Sequence, residues 1–449
     1  MTKSLGGTKG DPGTSLRVTP RGRALPQSFV VLSMCTFVAL GLPDGMIGTA
    51  WPAIRHGFGA PVGDLGIFLL VGTAGALVCS LVAGVLLSRL GAQLTMMFGA
   101  VAGALGMAGI VLAPSLWAFL TCSAGIGAAA GLYDSTVNTS VAMAGRNRLL
   151  NFLHGCYGIG SSTGPLVVTA AILFSSWRVA YGAMVVIEVS LIASWWLAHR
   201  HQEGAPGPPD LPGPPGVPGP PGPPGPPELA DATEAPAAHP LRARRDRQRT
   251  VVVVALGILV FMAYVGLEVG AGQWEPSFDR GPLHMTAGAT GFATFGYWGA
   301  LTLVRFALAA PRRPVPPAFI VRWGSAIALL GAVVVWWRPS AVAALVGLVV
   351  IGGSLAGVFP ALVALTPARV GDDIAHHVIG WQVGASWVGG SLISALFGAI
   401  FQRFGLREFG PSIVVVAAVL IVGVLVLERF AVPGHRDQTP GGALGEGLA

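Results

Sequence analysis

What most constrains this chain is the recurrence of predominantly apolar runs about 18 to 25 residues long, the length at which a helix crosses a hydrocarbon core of about 30 Å. Twelve runs qualify, at 28–51, 65–87, 94–112, 116–142, 149–174, 177–198, 251–274, 286–310, 319–337, 341–365, 378–401 and 409–427. Inside lipid no water satisfies backbone N–H and C=O groups, so each run must satisfy its own, as a helix does. The expectation is an all-α membrane protein with twelve transmembrane helices. The runs divide the chain into a tail (1–27), a six-helix bundle (28–198), a Pro/Gly-rich linker (199–249), a second six-helix bundle (250–430) and a closing tail (431–449).

Composition narrows the function classes. Charged residues make up 10% of the chain and hydrophobic ones 53%, against about 25% charged in a soluble domain, which excludes an ordinary soluble fold and a disordered chain alike. The formal net charge of +7 would suit nucleic acid, but the basic residues sit in short clusters between apolar runs, as they do where they mark the cytoplasmic side of a membrane protein. No nucleic-acid partner is expected. Cys35, Cys79, Cys122 and Cys156 all lie inside apolar runs without C-x-x-C spacing and argue for neither disulfide nor metal. No G-x-x-x-x-G-K-[ST] loop occurs, so ATP is not expected to drive a cycle in this chain, and neither an enzymatic activity nor a cofactor is implied. The first 27 residues are polar, with Pro12, Pro20 and Pro26, so the first run is expected to be a retained membrane helix.

Placing both termini and the even-numbered loops on one side leaves Arg55, Arg178, Arg280, Arg338, Arg403 and Arg407 on the other, so 21 of the 27 Lys and Arg lie with the termini. The positive-inside rule makes both termini cytoplasmic, in a multi-pass protein of the cell membrane. In the linker, Gly213, Gly216, Gly219, Gly222 and Gly225 alternate with prolines. The stretch has a collagen-like look, but Asp210 breaks the frame and both ends are tied to helices, so it reads as a polyproline II spacer of about 3.1 Å per residue. The cluster Arg242, Arg244, Arg245, Arg247 and Arg249 is a topology signal that also suits anionic lipid heads.

The seventh run repeats the first. Asp44, Gly48 and Pro52 recur as Glu268, Gly272 and Pro276, at i, i+4 and i+8 on one helix face, each carboxylate about 17 residues into its run. Duplicated halves are common in secondary transporters. A charge in the hydrocarbon is costly unless paired or hydrated, so the ionisable groups inside the runs are the functional candidates. These are Asp44, Asp134, Glu188 and Glu268, with His154. Asp134 and Asn138 share a face of the fourth run, and Asn151, His154 and Tyr157 form a stripe on the fifth, so an Asp134–His154 proton relay can form. Asp44, Asp134 and Glu268 are the candidate proton-coupling carboxylates. A helix-packing hydrogen bond is the plainer alternative for Asp134 and His154. Glu188 has no polar partner at helical spacing and receives no role, while Arg305, near the cytoplasmic end of its run, is expected to snorkel to the interface. Trp274, Trp298, Trp381 and Trp387, with Gln273 and Gln382 beside two of them, pair flat rings with amides as a sugar-like ligand would require. The alternative is an interfacial aromatic belt.

Twelve runs as six plus six, with a long central loop and both termini inside, resemble the major facilitator superfamily over nearly the whole chain. Of that family's signature loop, Gly84, Arg89 and Gly91 match while Ser88, Ala92 and Gln93 depart. The segments Gly131-Leu-Tyr-Asp134-Ser-Thr-Val-Asn138, Arg148-Leu-Leu-Asn151-Phe-Leu-His154 and Gly160-Ser-Ser-Thr-Gly164-Pro165 resemble the fucose–glucose:proton symporter branch. The resemblance implies a proton carrier at Asp134 and a sugar site lined by Asn138, Asn151, His154 and Tyr157, to which Gln273, Trp274, Trp298, Trp381 and Gln382 are added as binding candidates. The Gly160-x-x-x-Gly164-Pro165 core is also similar to the pattern of proton-coupled drug antiporters, which keeps multidrug or metabolite efflux as the second reading. A sensor or scaffold is the third. The expected partners are a small-molecule substrate, protons and the bilayer, for a monomer.

Overall fold

The computed structural model describes residues 25–144, 146–203, 240–309, 315–338 and 340–430, all of them helix or short connection. The helices are α1 (Gln27–Phe58), α2 (Asp64–Leu112), α3 (Leu116–Met143), α4 (Asn147–Phe174), α5 (Trp177–Glu203), α6 (Pro240–Arg280), α7 (Ala287–Ala309), α8 (Pro317–Trp337), α9 (Ala341–Leu355), α10 (Val358–Val370), α11 (Asp372–Phe404) and α12 (Phe409–Arg429). Among the described residues, ten helical segments are long and apolar enough to cross a membrane, α9 and α10 together forming one of them. The central stretch 204–239 and both tails lie outside the described residues, and with them most of the expected spacer.

α2 has 49 residues, about twice a crossing length, because the runs expected at 65–87 and 94–112 are its two arms. They meet at Gly91, whose φ of 80° is open to glycine and costly for other residues. Both arms return to α3: a Cβ on Gly127 would lie 1.8 Å from the Gly72 carbonyl oxygen, and one on Gly99 would lie 2.7 Å from the Tyr133 ring. Outside, Leu81, Leu105, Leu303 and Val415 are largely exposed, as side chains are where the solvent is lipid. The cysteines remain free thiols.

The helices before and after the central stretch meet asymmetrically. Where α1, α6 and α11 finish and α2 begins, one apolar core runs through both halves, joining Met46, Trp51, Leu65 and Phe119 to Trp274, Phe278, Phe397 and Phe401. Close backbone approach seals this end, since a Cβ on Gly66 would stand 2.5 Å from Ala395 Cα and one on Gly48 would stand 2.7 Å from the Gln273 carbonyl oxygen. At the opposite end Phe29, Phe37, Leu149, Leu191 and Trp195 form a separate cluster drawn from the amino-terminal half alone.

Candidate functional site

Glycines bring the first two site residues together. A Cβ on Gly160 would lie 2.1 Å from the Val38 carbonyl oxygen and one on Gly164 would lie 2.4 Å from that of Leu42, so α4 lies against the backbone of α1. This contact sets Tyr157 beside Asp44, and the phenol donates to Oδ2 at 2.6 Å. Pro43, within α1, removes one N–H from the helical ladder immediately before Asp44. From the other half, Gln273 Nε2 donates to the Asp44 carbonyl oxygen at 2.8 Å. The Gln273 side-chain oxygen is buried without a partner among the described residues.

Asp134 on α3 lies within electrostatic reach of Asn138, one turn on, and of His154 on α4. His154 packs edge-on against Phe37, ring centroids 5.6 Å apart. Asn138 Oδ1 is buried and unpartnered. The side chain of Asn151 lies outside the described residues.

In the carboxyl-terminal half Glu268 pairs with Arg305, Nη2 to Oε1 3.2 Å. Tyr264 Oη also donates to Glu268 Oε2, and Tyr297 Oη donates to the Glu268 carbonyl oxygen at 2.8 Å. Arg305 Nε donates to the Ala356 carbonyl oxygen at 3.1 Å. Arg305 therefore does not snorkel: its guanidinium turns into the protein, where a carboxylate offers a stronger partner than the interface does. It lies within electrostatic reach of His154 and Tyr157 across the seam. Ser162 and Thr302 join α4 to α7 hydroxyl to hydroxyl at 3.0 Å.

The aromatic candidates are scattered. Trp274 is fully buried between α6 and α11, its indole N–H shared at 3.0 Å between the carbonyl and hydroxyl oxygens of Ser394. Trp298 packs edge-on to Tyr297 and against Gly272. Gln382 accepts from Thr366 Oγ1 at 2.9 Å, tying α11 to α10, and Trp381 is 59% exposed. Gly48 opens onto the opposite half while Gly272 packs within its own, so the repeated glycines serve different contacts.

Glu188 has a partner that helical spacing within α5 does not reveal: Tyr133 on α3 donates to Oε2 at 2.7 Å, both side chains being buried. Glu275 and Asp279 escaped the reading of the sequence because the seventh run was ended at residue 274, whereas α6 continues to Arg280. Both are buried, and their four carboxylate oxygens have no partner among the described residues. The i, i+4 spacing of two acids on either side of Pro276 was the available signal.

A seam with three carboxylates, an imidazole, a guanidinium and phenolic donors can bind and release protons, and it can hydrogen-bond a polar solute. Among known proteins, a family model described as the Major Facilitator Superfamily matches residues 33–394. Membrane protein MosC of Rhizobium meliloti is 26% identical over 204 residues, 43% of this chain and 45% of that protein, so the match spans less than half of that relative. Among solved structures, a D-xylose-proton symporter superposes with a TM-score of 0.65 at 13% identity, covering 90% of this chain and 97% of that one. A mutant of the nucleoside transporter NupG gives 0.62 at 13% identity, covering 90% and 99%. A mutant of the fucose:proton symporter FucP of E. coli gives 0.54 at 14%, covering 89% and 98%. At these identities the structural likeness establishes the fold alone.

Proposed function

The chain belongs to the major facilitator superfamily, and from that premise we propose that it is a proton-coupled secondary transporter of a small sugar-like or other polar solute. Its helices make twelve crossings in two six-helix bundles, the two arms of α2 counting separately and α9 with α10 as one. Both termini face the cytoplasm of the cell that carries it in its plasma membrane. In that orientation the sealed end is external, so the arrangement faces inward, and alternating access consists of the two bundles rocking about the charged seam.

The observation that carries this reading is the convergence of charged groups on that seam: Asp44 with Tyr157, Asp134 with Asn138 and His154, and Glu268 with Arg305. Asp134 is the proton carrier in this scheme, passing the proton by way of His154, while Asp44 and Glu268 respond to it from either half. Asn138, Tyr157 and Gln273 supply solute hydrogen bonds, with Trp298 behind them. The glycines that resemble a drug-antiporter pattern are accounted for by the α1–α4 contact, which leaves uptake as the favoured direction.

Purified protein in liposomes, offered tritiated sugars, polyols and nucleosides under an imposed inward proton gradient, should accumulate at least one, and a protonophore should abolish the accumulation. Gradient-driven expulsion of dyes with no solute uptake would replace this reading with efflux. Inertness toward both would remove it.

A further inference from the structure

The sealed end holds a cavity of about 690 Å³ lined by Arg55 and His56 from the end of α1 and by Ser277, Arg280 and Gly281 from the end of α6, with Leu406 beside them. Closing this end therefore brings one guanidinium from each half to a common space. No carboxylate is among the residues lining it. Asp279, next to Arg280 in sequence, is fully buried and neither of its side-chain oxygens has a partner among the described residues, so it forms no ion pair with Arg280. Arg280 donates from Nη1 to the Met285 carbonyl oxygen at 2.8 Å, and among the described residues the rest of its fork has no hydrogen-bond partner. Ser277 at the cavity wall is 3% exposed, and its hydroxyl is unpartnered among the described residues.

Two guanidinium groups, an imidazole and a spare hydroxyl share this space with no acid among the described residues that line it. Cations so placed repel one another unless an anion lies between them, and the planar fork of arginine matches two oxygens of a carboxylate or phosphate. We propose that the sealed end binds an oxyanion between Arg55 and Arg280, and that the bound anion bridges the two halves. When the halves part, Arg55 and Arg280 separate with them and the site no longer exists. An anion that binds only the sealed arrangement must then favour it, by linkage. The proposal goes beyond the transport reading and stands apart from it, because it involves neither the charged seam nor the transported solute.

The oxyanion can come from solution or from the headgroup of an anionic phospholipid, and melting measurements on the full-length protein separate the two. In neutral detergent, sodium phosphate should raise the melting midpoint by a few degrees over sodium chloride of equal ionic strength. Arg55→Gln and Arg280→Gln should each lose that rise while melting like the parent in chloride, and Arg55→Lys should keep part of it. In nanodiscs, phosphatidylglycerol diluted into phosphatidylcholine should reproduce the arginine-dependent rise if the headgroup is the natural occupant, whether or not free phosphate is active. Identical responses of the parent and both glutamine variants in phosphate and in phosphatidylglycerol would overturn the proposal. Because no transport is read, neither result depends on the solute or the coupling ion.

Discussion

Removing the acid from the Glu268–Arg305 pair gives the most quantitative test of the charged seam. The two side chains are 12% and 23% exposed, between surface ion pairs, worth about 0–1 kcal/mol, and enclosed ones, whose rupture costs about 3–5 kcal/mol. Glu268→Gln leaves the guanidinium with neutral acceptors alone, the amide oxygen and the Ala356 carbonyl, and deprives the Tyr264 hydroxyl of a carboxylate. A loss of about 2 kcal/mol follows from that intermediate placement. At about 2 °C per kcal/mol for a chain of this size, the melting midpoint in detergent should fall by roughly 4 °C. Arg305→Gln should cost a similar amount, because it strands the carboxylate instead. The double variant leaves no uncompensated charge, so the cycle should return a coupling energy of about 1–2 kcal/mol in favour of the pair. Scanning fluorimetry on the parent, the two single variants and the double supplies the four corners. Additive losses, with the double variant about 4 kcal/mol below the parent, would refute the claim that these groups depend on one another.

Asp134→Asn keeps the shape of the side chain but cannot ionise, so uphill accumulation in proteoliposomes should vanish while solute exchange persists; a variant that still concentrates solute would remove Asp134 as the carrier. Gly48→Ala places a methyl 2.7 Å from the Gln273 carbonyl oxygen across the halves, whereas Gly45→Ala places one 2.1 Å from the Ser161 carbonyl oxygen within one half. The first should raise maleimide labelling of a cysteine at Ser277 with little change in melting, and the second should destabilise by about 1–3 kcal/mol. Tyr133→Phe strips Glu188 of its donor and should cost about 1–3 kcal/mol in stability, with transport per folded molecule unchanged. Cysteines at Ser4 and Ala230 should both react only from the cytoplasmic side, and external labelling of either would invert the orientation.

Spans were legible because apolar length is a one-dimensional property: α3, α8 and α12 begin within two residues of the runs that foretold them. Partners were not, because a sequence gives the position of a residue along its helix and says little about which helix faces it. Glu188 looked isolated when judged at i±3 and i±4, yet its donor lies 55 residues away on α3. Arg305 looked like an interfacial cation from its distance to the helix end, but its long side chain reaches back to Glu268. Trp274 and Gln382 stood beside one another's residue types in the sequence, and each turned out to tie α11 to a neighbour. The Asp44–Tyr157 contact was within reach of sequence reasoning, since the α4 glycines at Gly160 and Gly164 announce a close helix approach.

Those glycines also bear on the proposed rocking, in which each half must stay intact while the two separate. Within the amino-terminal half, Gly41 and Gly45 of α1 and Gly160 and Gly164 of α4 bring backbones together along several turns. Apart from the Asp44–Tyr157 bond such a seam offers water little to exchange with, and its dispersion contacts are lost all at once if the helices part. Between the halves the seam differs in kind. Close glycine contacts recur at the sealed end, but they are mixed with bonds that can be traded, such as Gln273 to the Asp44 carbonyl and Ser162 to Thr302. Breaking a hydrogen bond costs little when water or a polar solute takes the vacated position. The polar groups that identify the candidate site are therefore also the ones whose exchange lowers the cost of opening it. In the proposed cycle, a solute that bonds to Gln273 or Thr302 competes with bonds between the halves, which would link its binding to their movement through the same atoms.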